Sequence, residues 1–198
     1  YMALTSSTAD TPLDICSRAL ILIGAEPISS FDDGTTEATV AVNMYEDVVQ
    51  AALVNSRWRF ATNQKIVNRL TDAPTGRYDY AYQLPSDMIM LHGATVNGNL
   101  IEYQVYGDKL FADTTETDTV IVDYSFRASE VDFPSYFTLA VEFSLAIIFA
   151  TSIARDASLA SLMTERAESS MAKARSLDSQ QQTTRKLETS RFLTARRS

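Results

Sequence analysis

Carboxylates supply most of the reactive side chains in this chain, with 25 Asp and Glu against one His and one Cys. Two runs concentrate them: Asp32, Asp33 and Glu37, and then Asp113, Glu116 and Asp118. Clustered carboxylate oxygens are the ligands that a hard cation such as calcium takes. Neither run has the spacing of an EF-hand loop. The first suits a helix N-terminus, where negative charge meets the positive end of the helix dipole. The second reads as decoration on a loop, so no metal and no cofactor are expected. Two acids at a suitable separation are also the machinery of glycoside hydrolysis, and a glycan-cleaving hydrolase is the enzymatic alternative. His92 falls in a strand-like run with no Ser, Cys or carboxylate motif that would build a triad. Cys16 falls off the clear apolar stripe of its helix, but small buried cysteines are common and nothing supports a catalytic thiol. No catalytic residue is expected.

Three further groups suit binding better than catalysis. Arg57-Trp58-Arg59-Phe60 places aromatics between cations, the composition of a base-stacking surface. The negative surrounding charge favours instead a junction that Trp58 and Phe60 pin while the arginines pair with acids of this or a neighbouring chain. Tyr78, Tyr80 and Tyr82 alternate, so their rings share one face of a strand, either as an interface, where Tyr is enriched, or as packing. The C-terminal residues Arg185, Lys186, Arg191, Arg196 and Arg197 surround Phe192 and Leu193, a pattern suited to docking on a protein partner.

Charge separates that terminus from the rest. Residues 1–172 carry 10 Lys and Arg against 23 Asp and Glu, a balance of −13, while residues 173–198 carry 7 against 2, a balance of +5. An acidic body disfavours wrapping nucleic acid, because phosphate binding needs a basic surface. A nucleic-acid-binding module would therefore act through the basic tail. Acidic body and basic tail together favour charge-complementary protein contacts. A single cysteine excludes an internal disulfide framework, and the first residues lack the pattern of a signal peptide. The expected setting is a reducing cytoplasm.

The elements that position these residues are legible. Thr11 caps a first helix with Pro12 at its first position and Asp14 in its first turn, and Gly24 ends it before Pro27. Ile15, Ala19, Leu22 and Ile23 form its stripe. A second helix carries Ala38, Ala41, Tyr45, Val48 and Ala52 on one face, with Met44 beside it, and ends near Arg57-Trp58. The period then changes to that of strands: 65–70, 78–84, and a hairpin of 88–96 and 100–105 about Asn97-Gly98. After the turn Gly107-Asp108 come 109–112 and 119–126. Short turns predict an antiparallel meander. Helix returns at Pro134. The run 137–154 is almost wholly apolar, but Glu142 and Arg155 make it a central buried helix, not a membrane span; a charge mid-membrane costs about 3 kcal/mol. A last helix covers 157–180 with Leu159, Met163, Ala167, Met171, Ala174 and Leu177 at helical spacing. The expected fold is α+β: a discontinuous four-helix bundle (12–62 and 134–180), an antiparallel β insert (63–133) and a basic tail (181–198).

Three stretches stand in one order: Asp14 to Leu20 running into Gly24-Ala25-Glu26-Pro27-Ile28 and Phe31-Asp32-Asp33-Gly34-Thr35; Arg57-Trp58-Arg59-Phe60-Ala61; and Ala73-Pro74-Thr75-Gly76-Arg77 followed by Ala81 to Asp87. Together they resemble the tail tubular protein A family, the head-to-tail adaptors of short-tailed podovirus bacteriophages. Tyr78 departs from that pattern, in which Trp is frequent after Gly-Arg. The resemblance implies a structural virion protein and not an enzyme. It implies a homo-oligomeric, dodecameric ring in the virion tail, assembled in the host cytoplasm, that meets the portal protein on one side and the nozzle-forming tail tubular protein B on the other. A tail fibre is a further implied partner, DNA is only channel cargo, and no membrane insertion is implied. Ring closure requires two unlike patches per subunit, here expected from the β insert and the helical body.

Overall fold

The computed structural model describes residues 9–72, 74 and 76–181, and shows an α+β fold of four helices and antiparallel sheets. Helix α1 (Pro12–Leu22) begins as its sequence dictates: the Thr11 hydroxyl accepts from the Asp14 N–H at 3.1 Å. Helix α2 (Thr36–Val54) is capped in the same way by Thr35, which accepts from the Ala38 N–H. Its buried residues are Ala38, Ala41, Tyr45, Val49, Ala52 and Leu53. Val49 thus takes the fully buried place expected of Val48, which packs only partly buried against the same core. Cys16 is also fully buried, with Ile15, Ala19 and Leu20, so the buried stripe of α1 includes it and is centred one position away from the expected Ile15, Ala19, Leu22 and Ile23.

Helix α3 (Ser135–Ser152) is the hub against which α1, α2 and α4 (Ala157–Gln180) all pack. Its length and hydropathy would suit a bilayer. Here Phe137, Val141, Leu145 and Phe149 instead fill the centre of the helical core with no solvent exposure. The Asp156 side chain caps α4, accepting from the N–H groups of Ser158 and Leu159. Small residues (Ala160, Ala167 and Ala174) with Met163 form the buried face of α4 and allow close approach to α3.

The β part departs from a meander. Strands β1 (Thr62–Ile66), β7 (Val120–Phe126), β3 (Met88–Val96) and β4 (Asn99–Leu100) form one sheet in that order, and β2 (Tyr80–Gln83), β6 (Lys109–Ala112) and β5 (Gln104–Tyr106) a second. The first and last strands pair with one another, so the segment leaves and re-enters the helices at neighbouring points. Short turns fix only local hairpins. The chain after β4 crosses to the other sheet because Leu110, Ala112, Tyr82 and Leu84 need the faces of Val120, Val122 and Tyr124 to bury against. The Asn97-Gly98 hairpin forms with both residues at positive φ, 50° and 80°, as its tight turn demands.

Two cores result, one among the helices and one between the sheets. Phe126, at the end of β7, packs against both. Register shifts in β3 between Met88 and Met90 let Ile89 reach the helical core while Met88 serves the β core.

Candidate functional site

The stretch 57–60 forms the joint between the helices and the first sheet. After α2 ends, the backbone of Trp58 is extended, so neighbouring side chains point to opposite sides. Trp58 is wholly buried. Its indole N–H donates to the Ala52 carbonyl at 2.8 Å, and its ring meets Phe137 edge-on with centroids 5.1 Å apart. Phe60 contacts Phe137 and Phe133 in the same T-shaped manner. These aromatics therefore pin the joint and are not a stacking platform.

Arg57 and Arg59 consequently face outward. Arg57 reaches Asp123 of β7 at 3.6 Å and remains half exposed. The Arg59 guanidinium donates to the Gln181 carbonyl at 3.0 Å, and its backbone N–H donates to the Asp178 carboxylate at 3.2 Å. Asp178 is buried and also accepts from the Tyr136 hydroxyl at 2.9 Å. Burial, reinforced by this carboxylate, pushes the Tyr136 phenol up to about 12. Arg175, one turn before Asp178, lies near the Asn55 side chain at 3.5 Å. Ser56, Arg57, Arg59, Thr62, Arg175, Asp178 and Ser179 line an open cleft of about 550 Å³. Sequence reading singled out Arg57 and Arg59 but missed Arg175 and Asp178. The available signal was Asp178 standing four residues after Ala174, on the buried stripe of α4.

The tyrosines separate by depth. Tyr82 is 1% exposed, packs in the β core and hydrogen-bonds Thr114 through its hydroxyl at 2.6 Å. Its ring is therefore not available on the surface of this chain. Tyr80 is partly covered and carries the Arg69 guanidinium over its ring at 4.8 Å. Tyr78 precedes β2, lies near Phe111 and is covered by Arg77 at 5.3 Å. Arg185, Lys186, Arg191, Phe192, Arg196 and Arg197 lie outside the described residues.

The acid runs are used locally. Asp33 accepts from the N–H groups of Ser29 and Ser30, which hold its carboxyl below the ordinary range. Asp113 accepts from the Asp79 N–H, and Asp118 from the Thr115 N–H. Among the described residues no group of three or more His, Cys, Asp or Glu side chains is placed to hold a metal. His92 shares a hydrogen bond of 2.7 Å with Ser125. Its pKa is lowered, by partial burial first and then by the Arg57 charge. Burial pushes the Cys16 thiol up to about 12, which removes its nucleophilic thiolate.

Two ionic features were not foreseen. Arg127, at the end of β7, donates to Glu46 of α2 at 3.0 Å and to Glu130 at 2.6 Å, tying sheet to helix. The Glu130 carboxylate also accepts from Tyr45. The i,i+3 spacing of Arg127 and Glu130 was the visible signal. Glu142 is buried within α3 with its Oε1 lacking a hydrogen bond, 3.7 Å from an Arg18 that is 41% exposed. Desolvation raises its pKa. It borders a cavity of about 220 Å³ with Asp10, Arg18, Ser135 and Thr138.

This arrangement is one of latches and surfaces. No curated protein matches the chain. The sequence model of the tail tubular protein family, by contrast, matches residues 13–186, spanning all four helices and both sheets in one continuous stretch. The chain thus belongs to the tail tubular protein family and is a structural component of the bacteriophage tail.

Proposed function

We propose that this protein is the adaptor ring subunit between the phage portal and the tail nozzle, assembled as a dodecamer in the host cytoplasm. The observation that carries this reading is the family match running unbroken over residues 13–186. In this arrangement a helical bundle (12–62 and 134–180) and a β insert (63–133) supply the two unlike patches that a closing ring requires. The basic tail engages the portal or a neighbouring subunit. The function is performed by geometry and interface energy, with no bond made or broken.

The acidic balance of residues 1–172 gives the channel its second property. Negative walls repel DNA and keep it from adhering as it passes. Co-sedimentation of the full chain with candidate portal and nozzle proteins tests the reading. Stable binary complexes with each partner and a ternary complex with both are expected. A chain that binds neither overturns it. Turnover of a glycan, abolished by replacing one specific acid, would establish the hydrolase instead.

A further inference from the structure

We propose that the arginine cleft at the helix–sheet joint is a docking site for the acidic β6–β7 loop of a second copy of this chain. This rests on the ring reading above and names the contact that builds it. Residues 1–172 carry only 10 cations, yet Arg57 and Arg59 converge there with Arg175 from α4. Their internal engagements are loose or are directed at the backbone: 3.6 Å from Arg57 to Asp123, 3.5 Å from Arg175 to Asn55, and the Gln181 carbonyl for Arg59. Asp178, the acid in the cleft, already accepts from Tyr136 and from the Arg59 backbone, so its oxygens are committed inward. The Ser56, Thr62 and Ser179 side chains complete a polar lining. Guanidinium groups held in this way, with open space before them, suit carboxylates that arrive from outside.

Charge complementarity selects the occupant. Residues 63–133 hold 11 acids against 5 cations, and Asp113, Glu116 and Asp118 put three of those acids into the seven-residue stretch joining β6 to β7. Glu116 is exposed, while Asp113 and Asp118 shape the loop through the backbone N–H groups they accept. Loop and cleft are different patches of one chain. Their contact is therefore heterologous, the kind from which a ring closes. A DNA phosphate is the competing anion, but it would approach a body of balance −13.

The test uses full-length Arg175→Glu, Arg175→Gln and Glu116→Lys, with assembly followed by sedimentation alone and on portal, and thermal melts as the fold control. Arg175 is exposed, so its replacements are expected to melt like the parent. Each single charge reversal should weaken assembly about tenfold, and Arg175→Gln less. The chain carrying both reversals should recover assembly. Arg175→Glu added to the parent chain should terminate growing rings, because it offers an intact loop but no cleft. Unchanged assembly in Arg175→Glu overturns the proposal and leaves the ring reading standing. Loss without rescue overturns the loop as occupant. Loss of salt-sensitive duplex DNA binding with normal assembly makes the cleft a phosphate site and overturns it as well. A parent chain that never assembles removes the ring reading itself.

Discussion

The Asp178 carboxylate, in the last turn of α4, accepts a 2.9 Å hydrogen bond from the Tyr136 hydroxyl in the first turn of α3, and so ties the ends of the hairpin formed by these two helices. Its second oxygen accepts from the Arg59 N–H, which brings the helix–sheet joint into the same latch. Asp178→Ala would remove two part-buried hydrogen bonds to a carboxylate, and a cost of about 2 kcal/mol is expected. Tyr136→Phe should cost about 1 kcal/mol. Urea unfolding measures both, and additive effects in the double variant would contradict a shared latch.

Trp58 is the chain's one tryptophan, so its fluorescence reports the joint directly. Full burial predicts blue-shifted emission in the folded protein and a red shift at the unfolding transition. Trp58→Ala should destabilise by about 4 kcal/mol, through the cavity left against Phe137 and the loss of the bond to Ala52. Trp58→Phe should cost distinctly less. Equal losses would show that the aromatic packing is unimportant.

Glu142 gives a pH dependence of defined sign. Its folded pKa lies above the ordinary value because burial disfavours the charge. The folded state therefore binds this proton more tightly than the unfolded state does. Stability from this group is present below the ordinary carboxylate range and declines as pH rises through the raised folded pKa. Glu142→Gln removes that decline and should stabilise the protein by about 1 kcal/mol at neutral pH relative to the parent. Melting curves across acidic to neutral pH that run parallel for the two proteins would contradict this.

Arg127 works in the opposite direction. Its hydrogen bonds hold the Glu46 carboxyl below the ordinary range, so their contribution is present at neutral pH and is lost as pH falls through that depressed value. Arg127→Ala also takes the cation from Glu130, whose side chain is 13% exposed and keeps only the Tyr45 hydroxyl, and a loss of about 2 kcal/mol is expected. A double-mutant cycle with Glu130→Gln measures the coupling, and zero coupling would contradict the tie between sheet and helix.

The segment after residue 180 carries much of the chain's basic charge, with Arg185, Lys186, Arg191, Arg196 and Arg197 in it. Truncation there should weaken docking on portal and blunt its salt dependence. Normal docking by the truncated chain would place that contact elsewhere.

Helices were legible wherever local signals coincide: Thr11 with Pro12, the acidic run that leads into α2, and the apolar run that became α3. The strand order was not legible. The pairing of β1 with β7 joins residues such as Thr62 and Ser125, far apart in sequence, and no turn signal encodes it. The candidate site divided in the same way. Arg57 and Arg59 announced themselves by flanking Trp58, whereas Arg175 and Asp178 acquire their roles only when α4 folds back along α3. Glu142 visibly interrupts an apolar run in the sequence, whereas the missing hydrogen bond at its Oε1 depends on the packing around it.

Cryo-electron microscopy of the purified chain mixed with its candidate portal tests the central claim most directly. Closed rings capping the portal, with the arginine cleft of each subunit against the β insert of the next, are predicted. Particles in which the portal stays bare and the chain remains monomeric would contradict the adaptor assignment and leave only a tail component of unassigned position.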